Sequence, residues 1–306
     1  MIRASANGKV ILLGEHAVVY GQSAIVAGIE NGAEASAEES PANSIVVGTE
    51  TTAAGQRTLG AAFDALLSSL SAPPCSARVR LHVPAGCGLG ASAAAGVAVA
   101  RAVLNLLDPT PDTESRTRRD AVLGAAHAWE KVFHGNPSGI DATAATLGGC
   151  FSFDRQQGPE TISVSQTLHL AVAVADAPAS TRTMVDQVAQ LRACAPEATN
   201  RVLARIGELA QTARLALEQG STTAIGVLMN ENHALLQQLN VSTVRLDDAC
   251  AAARTAGALG AKLTGSGGGG CVIALCEPGS EGTILQAWRN RGLACFDMVI
   301  RQSSAF

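Results

Sequence analysis

Pro84-Ala85-Gly86-Cys87-Gly88-Leu89-Gly90-Ala91-Ser92-Ala93-Ala94-Ala95 is the stretch from which the rest of the chain is read. Just before it, Val79, Leu81 and Val83 alternate with polar residues, the period of a strand. Pro84 closes that strand, because proline has no N–H to give to a ladder. Gly86, Gly88 and Gly90 lack a Cβ, so the backbone there turns tightly and can approach a ligand closely. From Ser92 to Leu107 alanine and leucine predominate, which predicts a buried helix. A glycine loop emptying into a helix start offers unpaired N–H groups and a positive dipole end, and these suit a phosphate.

Three readings of the loop compete. The string G-x-x-x-x-G-K-[ST] of a Walker loop is absent from the chain. Gly86-x-Gly88-x-x-Ala91 does fit the dinucleotide pattern, which calls for a second strand ending in an acid about 20 residues on. Asp108 stands at that distance but follows a helical run with no strand between. The third reading gives the glycines a packing role only. The partners of the loop must come from elsewhere in the chain.

At 306 residues the chain has room for about two domains of roughly 150 residues each. A net charge of −4, no basic run and few aromatics argue against a nucleic-acid partner. Lys9, Glu15 and several glycines interrupt any leader-like apolar run. The longest apolar stretch, 91–100, is far short of the ~18 residues of a membrane span. A cytoplasmic protein with no membrane partner is expected. Eight scattered cysteines without a C-x-x-C pair read as reduced thiols. Only three of the 22 basic side chains are lysine: Lys9, Lys131 and Lys262. A lysine kept in such a chain marks a place for a compact charge where a planar fork would not serve, though for Lys131 chance explains it equally well.

Residues 2–13 read as a strand broken by an Asn7-Gly8 turn. Glu15 and His16 then stand together between apolar runs. Exposed strands and loops are expected over 30–60, an amphipathic helix over 59–71, and a turn at Pro109–Asp112. The period of Ala121, Ala125, Ala128 and Val132 predicts a helix over 118–133. Glu130 near its end is either a surface acid or held by something positive such as a metal, since a helix C-terminus favours a cation. His134 to Asp141 is a turn-rich loop. Asp141 is either the N-cap of the helix that follows or a site carboxylate. A boundary before the strand at Leu168–Ala175 divides the chain into domains 1–166 and 167–306. Helices over 198–219, 221–239 and 244–257 follow. The four consecutive glycines, 267–270, in Lys262-Leu263-Thr264-Gly265-Ser266-Gly267-Gly268-Gly269-Gly270-Cys271 suggest backbone lying against a ligand or another loop. A helix at 284–291 and a strand at 295–300 close the chain.

Four segments in this order resemble the GHMP kinase superfamily, nearest its mevalonate kinase branch: GKVILLGEHAVVYG at 8–21, PAGCGLGASAA at 84–94, HGNPSGID at 134–141 and KLTGSGGGGC at 262–271. STRTMV at 180–185 and NHALLQQLNVS at 232–242 resemble family segments as well. The resemblance implies an α+β fold of two domains with the active site in the cleft between. The N-terminal domain would be ribosomal-protein-S5-domain-2-like and the C-terminal one a ferredoxin-like α/β sandwich. It implies transfer of the ATP γ-phosphoryl group to the C5 hydroxyl of mevalonate, with Mg2+. By that resemblance Asp141 is the catalytic base and Lys9 its partner. Ser92 and Glu130 hold the metal, and Gly86, Cys87, Gly88, Leu89, Gly90, Ala91 and Ser92 cradle the triphosphate. Glu15, His16, Phe153 and Thr181 take the places of residues on the mevalonate side. Asn7 departs from a usual proline, Ala91 from the first of two serines, and Ala142 from an asparagine. Ser266 departs from an alanine and offers a polar group to the substrate. The alternatives are a related GHMP kinase acting on phosphomevalonate, homoserine or a sugar, and a non-catalytic nucleotide-binding sensor. A homodimer stays open.

Overall fold

The computed structural model describes residues 1–48, 53–109, 115–135, 137–177 and 179–303. The tract at 49–52, residues 110–112 of the expected turn, Asn136 and Pro178 lie outside them. The chain forms two compact units that interleave in sequence. One holds Met1–Lys9, Gly28–Gly86 and Gly90–Gly148; the other holds Val10–Ala27, Cys87–Leu89 and the chain from Gly149 onward.

The first unit draws on β1 (Ile2–Leu13), β2 (Ala24–Glu39), β3 (Ser44–Val47), α1 (Ala53–Ser69), β4 (Cys75–Leu81), α2 (Ala91–Leu107), α3 (Arg116–His134) and α4 (Ile140–Leu147). The far half of β2 pairs antiparallel with β4, from Ala33 opposite Leu81 to Glu39 opposite Cys75, and β3 joins β4 in parallel. Exposed strands were the expectation here, yet Ala33, Ala35 and Ala37 are buried in one core with Phe63, Leu66, Ala98 and Trp129. Glu34 and Ser36 between those alanines mask a period-two pattern whose buried members are small. Helix α1 also starts earlier than expected, at Ala53.

The Asn7-Gly8 turn is not there: β1 runs unbroken through both residues. The glycine serves a close approach instead. A Cβ on Gly32 of β2 would lie 2.0 Å from the Gly8 nitrogen, so the two backbones meet where neither residue has a side chain.

The second unit takes the start of β2, where Ala24 to Ala27 pair antiparallel with β5 (Cys150–Asp154), and β5 turns into β6 (Gly158–Thr161). Next come β7 (Leu168–Asp176), α5 (Thr181–Cys194), α6 (Pro196–Gln219), α7 (Thr222–Gln238), α8 (Val244–Thr255), β8 (Gly260–Thr264), β9 (Gly270–Cys276), α9 (Glu281–Arg289) and β10 (Ala294–Ile300). The sheet runs β10-β7-β9-β8, with every neighbour antiparallel. Numbered from β7, that order is 4-1-3-2, which with its helices is a ferredoxin-like arrangement. Every residue of β9 is buried, which explains its unbroken apolar run. Helices α7, α8 and α9 pack on the sheet, and the Trp288 indole N–H ties α9 to the Ala249 carbonyl at 2.8 Å. Ser180 caps α5, accepting from the Thr183 N–H at 3.1 Å. No helix among the described residues is long and apolar enough to cross a membrane.

His233 of α7 gives this unit a pH dependence. It is buried, with Nε2 3.1 Å from Asp247 Oδ1. Burial pulls its imidazole down to about 4, against the pull of Asp247. The folded state therefore favours the neutral ring. The stability this contributes, about 3 kcal/mol, is fully present above the unfolded value near 6.5 and is lost as pH falls towards 4. Urea unfolding at pH 7 and pH 4.5 should show this fall in the wild type and a shallower one in His233→Gln. Equal falls would remove His233 as the cause.

Candidate active site

Lys9 ends the first stretch of the first unit and is 4% exposed. Its Nζ lies 3.2 Å from Asp141 Oδ1. Asp141 sits in the first turn of α4, where Gly139 occupies the N-cap in a left-handed conformation. Asp141 is thus not the cap, and its side chain remains 39% exposed. Gly90, the N-cap of α2, has φ 73°, and a Cβ there would come 2.8 Å from Lys9 Cγ. Glycine at that point lets the lysine stem lie along the end of the loop. Within the loop exposure alternates. Gly86 and Gly88 reach the surface, while the side chains of Cys87 and Leu89 are buried and anchor it. Ala91 is buried at the first position of α2.

Ser92 follows in the first turn of α2, and its hydroxyl donates to Glu130 Oε1 at 2.6 Å. Trp129 sets this pairing. Its ring is buried in the core with Ala93, Ala94 and Ala98, and its indole N–H donates to the Ser92 carbonyl at 3.1 Å. Small residues on α2 let α3 come close enough for this. Glu130, next in sequence, is 3% exposed and so is no surface acid. Burial raises its proton affinity, the Ser92 hydroxyl opposes that, and Asp141 adds to it. His134 stands 3.6 Å from its other oxygen.

This donor set fits a hard divalent ion. The buried carboxylate has a neutral hydroxyl as its hydrogen-bond partner, with His134 and Lys9 as the positive groups nearby, and both donors are oxygens. Among the described residues no group of three or more His, Cys, Asp or Glu gathers as a metal cage. Two oxygen donors suit magnesium, which keeps water and phosphate in its shell.

Other predicted residues lie in the second unit. Glu15 and Lys262 form an ion pair in which both are essentially inaccessible to solvent. Asn232 Nδ2 donates to the second Glu15 oxygen at 3.1 Å. Lys262 Nζ also donates to the Leu263 carbonyl at 2.7 Å. His16 is buried, with Nε2 2.8 Å from the Ser266 carbonyl. A carbonyl only accepts, so Nε2 carries the proton. Burial holds the imidazole below its ordinary range, more than that hydrogen bond raises it. Ser266 itself is half-buried. Phe153 is buried in β5 opposite Ala24, and Thr181 is exposed as the first residue of α5. The glycine run lies against chain rather than open solvent, since the Gly268 N–H donates to the Val241 carbonyl at 2.8 Å.

Trp129 and Asn232 escaped sequence reading as site residues. Trp129 signals only a core, and Asn232 only a family segment, until their partners are known. The scarcity of lysine did point to Lys262.

Residues 57–149 match the family described as GHMP kinases N terminal domain, and residues 213–294 match GHMP kinases C terminal. The chain is similar to the mevalonate kinase of Pyrococcus abyssi, 32% identical with 95% of this chain and 93% of that one covered. It is 34% identical to the mevalonate kinase of Aeropyrum pernix, covering 90% and 89%. Among solved structures, L. major mevalonate kinase in complex with R-mevalonate superposes with a TM-score of 0.88 at 30% identity, covering 100% of this chain and 97% of that one.

Proposed function

Because the chain belongs to the GHMP kinases, in their mevalonate kinase branch, we propose that it transfers the γ-phosphoryl group of ATP to the C5 hydroxyl of mevalonate. One observation carries the assignment of roles: Lys9 and Asp141 pair at 3.2 Å in the same unit that joins Ser92 to Glu130. A primary alcohol holds its proton tightly at neutral pH and is a poor nucleophile. Asp141 accepts that proton as the C5 oxygen bonds to phosphorus and the bond to ADP breaks, giving 5-phosphomevalonate. General-base help of this kind is worth about 10²–10⁴-fold. Lys9 faces the same oxygen and stabilises charge developing there. In a loose transition state such placement carries much of the rate.

The amides from Gly86 to Ser92 hold the triphosphate at the start of α2, and Ser92 and Glu130 are the residues that would hold magnesium. When bound, magnesium neutralises charge on the phosphate oxygens. Glu15, His16, Phe153, Thr181 and Ser266 serve the mevalonate side. Residues 1–166 and 167–306 remain the proposed domains, with one family match on each side of the boundary. We place the reaction in the cytoplasm, where ATP is supplied.

The test is ADP release from MgATP with mevalonate, phosphomevalonate, homoserine or galactose. Release with mevalonate alone is expected; none with mevalonate would sink the assignment. Ser92→Ala should raise the magnesium needed for half-maximal rate by about tenfold, the scale of losing a partner at a metal site. An unchanged magnesium titration would take Ser92 out of the metal site.

A further inference from the structure

Glu15, His16 and Ala17 form a tight turn of a rare kind. The Ala17 N–H donates to the Glu15 carbonyl at 2.7 Å, and His16 between them has φ 61° and ψ −45°. That is a γ-turn with positive φ, a strained conformation for a residue with a side chain. Such strain persists only where the surroundings over-determine it. Here one segment, Lys262 to Ser266, holds both sides of the turn. Lys262 takes one oxygen of Glu15, and the Ser266 carbonyl takes the His16 ring. Asn232 takes the other Glu15 oxygen. Beyond His16, the turn at Ala17–Tyr20 packs on α6.

Two features say that the pair does more than stabilise. A buried ion pair is weak as a source of stability, because stripping water from both charges offsets much of their attraction. Glu15 is also closed to ligands: it is 1% exposed and both its oxygens are engaged. It acts through its neighbour. We propose that Lys262 is a positioning residue for phosphoryl transfer: with Asn232 it clamps Glu15, and so holds the strained turn that sets His16 for the alcohol substrate. The clamp rests on the reading of His16 as a mevalonate-side residue. It assigns Glu15 a role without substrate contact.

Three proteins test it: wild type, Lys262→Met, and the charge-neutral double variant Glu15→Gln with Lys262→Met. The single variant leaves a buried carboxylate unpaired and should lose stability, or fail to fold. The double variant should recover most of that stability. It should still show a KM for mevalonate raised about tenfold or more, with KM for MgATP within about twofold of wild type, the signature of a misplaced substrate-side group. A wild-type mevalonate KM in the double variant would overturn the clamp. So would an equal rise in both KM values, which would mark general loosening. Nitrogen-15 NMR of histidine-labelled protein, with His16 assigned through His16→Asn, tests it without substrate. The wild-type ring should report a fixed Nε2–H tautomer and the double variant a mixture. Unchanged His16 signals would overturn the clamp whatever the substrate. Absence of mevalonate turnover in the wild type would fail the functional assignment instead, and the NMR comparison would still decide the clamp.

Discussion

Asp141→Asn is expected to cut kcat for mevalonate phosphorylation by about 10³-fold while nucleotide still binds. Asparagine keeps the size of the side chain but cannot take the alcohol proton. It also leaves the Lys9 ammonium, 3.2 Å away, without its counter-charge. Nucleotide binding should survive for a separate reason. The loop amides and the Ser92–Glu130 pair belong to other elements, and Glu130 is relieved of a neighbouring negative charge that now raises its proton affinity. Steady-state ADP release gives kcat, and calorimetry with MgATP gives the affinity. A variant with wild-type kcat would show that Asp141 is not the base. A variant that has lost both turnover and nucleotide would make its role structural.

Lys9→Arg keeps the charge and is nonetheless expected to lose about 10²-fold in kcat, the scale of removing one fixed donor from a developing oxyanion. Lys9 is 4% exposed, and its stem runs against the backbone of Gly90 so closely that a Cβ there would lie 2.8 Å from Cγ. A planar guanidinium is wider than an ammonium and spreads its charge over a fork. It must either push the end of the glycine loop or withdraw from Asp141. Lys9→Met, which removes the charge without adding width, separates the two effects. If Lys9→Arg matches the wild type while Lys9→Met is inactive, charge alone suffices and the shape of the pocket does not matter.

The glycine loop, the Glu-His pair, the HGNPSGID loop and the four-glycine run were all legible in sequence, because glycine, proline and apolar period act within a few residues. Strand β7 was legible for the same reason, as an apolar run bounded by turn residues, whereas the ferredoxin-like order of the sheet was implied only by the family resemblance. Errors came where a local signal met a tertiary demand. Asn7-Gly8 reads as a turn, yet it lies in a strand whose neighbour carries Gly32 at the point of contact. Ala33, Ala35 and Ala37 read as a polar strand because Glu34, Ser36 and Glu38 alternate with them, yet the helices bury them. Apart from the family resemblance, the local sequence left Glu130 as a surface acid or a held one, and its burial on a helix that Trp129 ties to Ser92 excludes the surface.

The sequence by itself determined which residue types the chemistry has to work with and the order in which they come. It fixed the loop that can meet a phosphate, the lone lysines, and the carboxylates beside tight turns. Those are properties of residues and of their near neighbours. Only the tertiary structure decided which charge faces which. Glu15 is spent on Lys262, 247 positions away. A charged side chain buried by the fold must find a partner, and the packing of strands and helices determines which one is within reach.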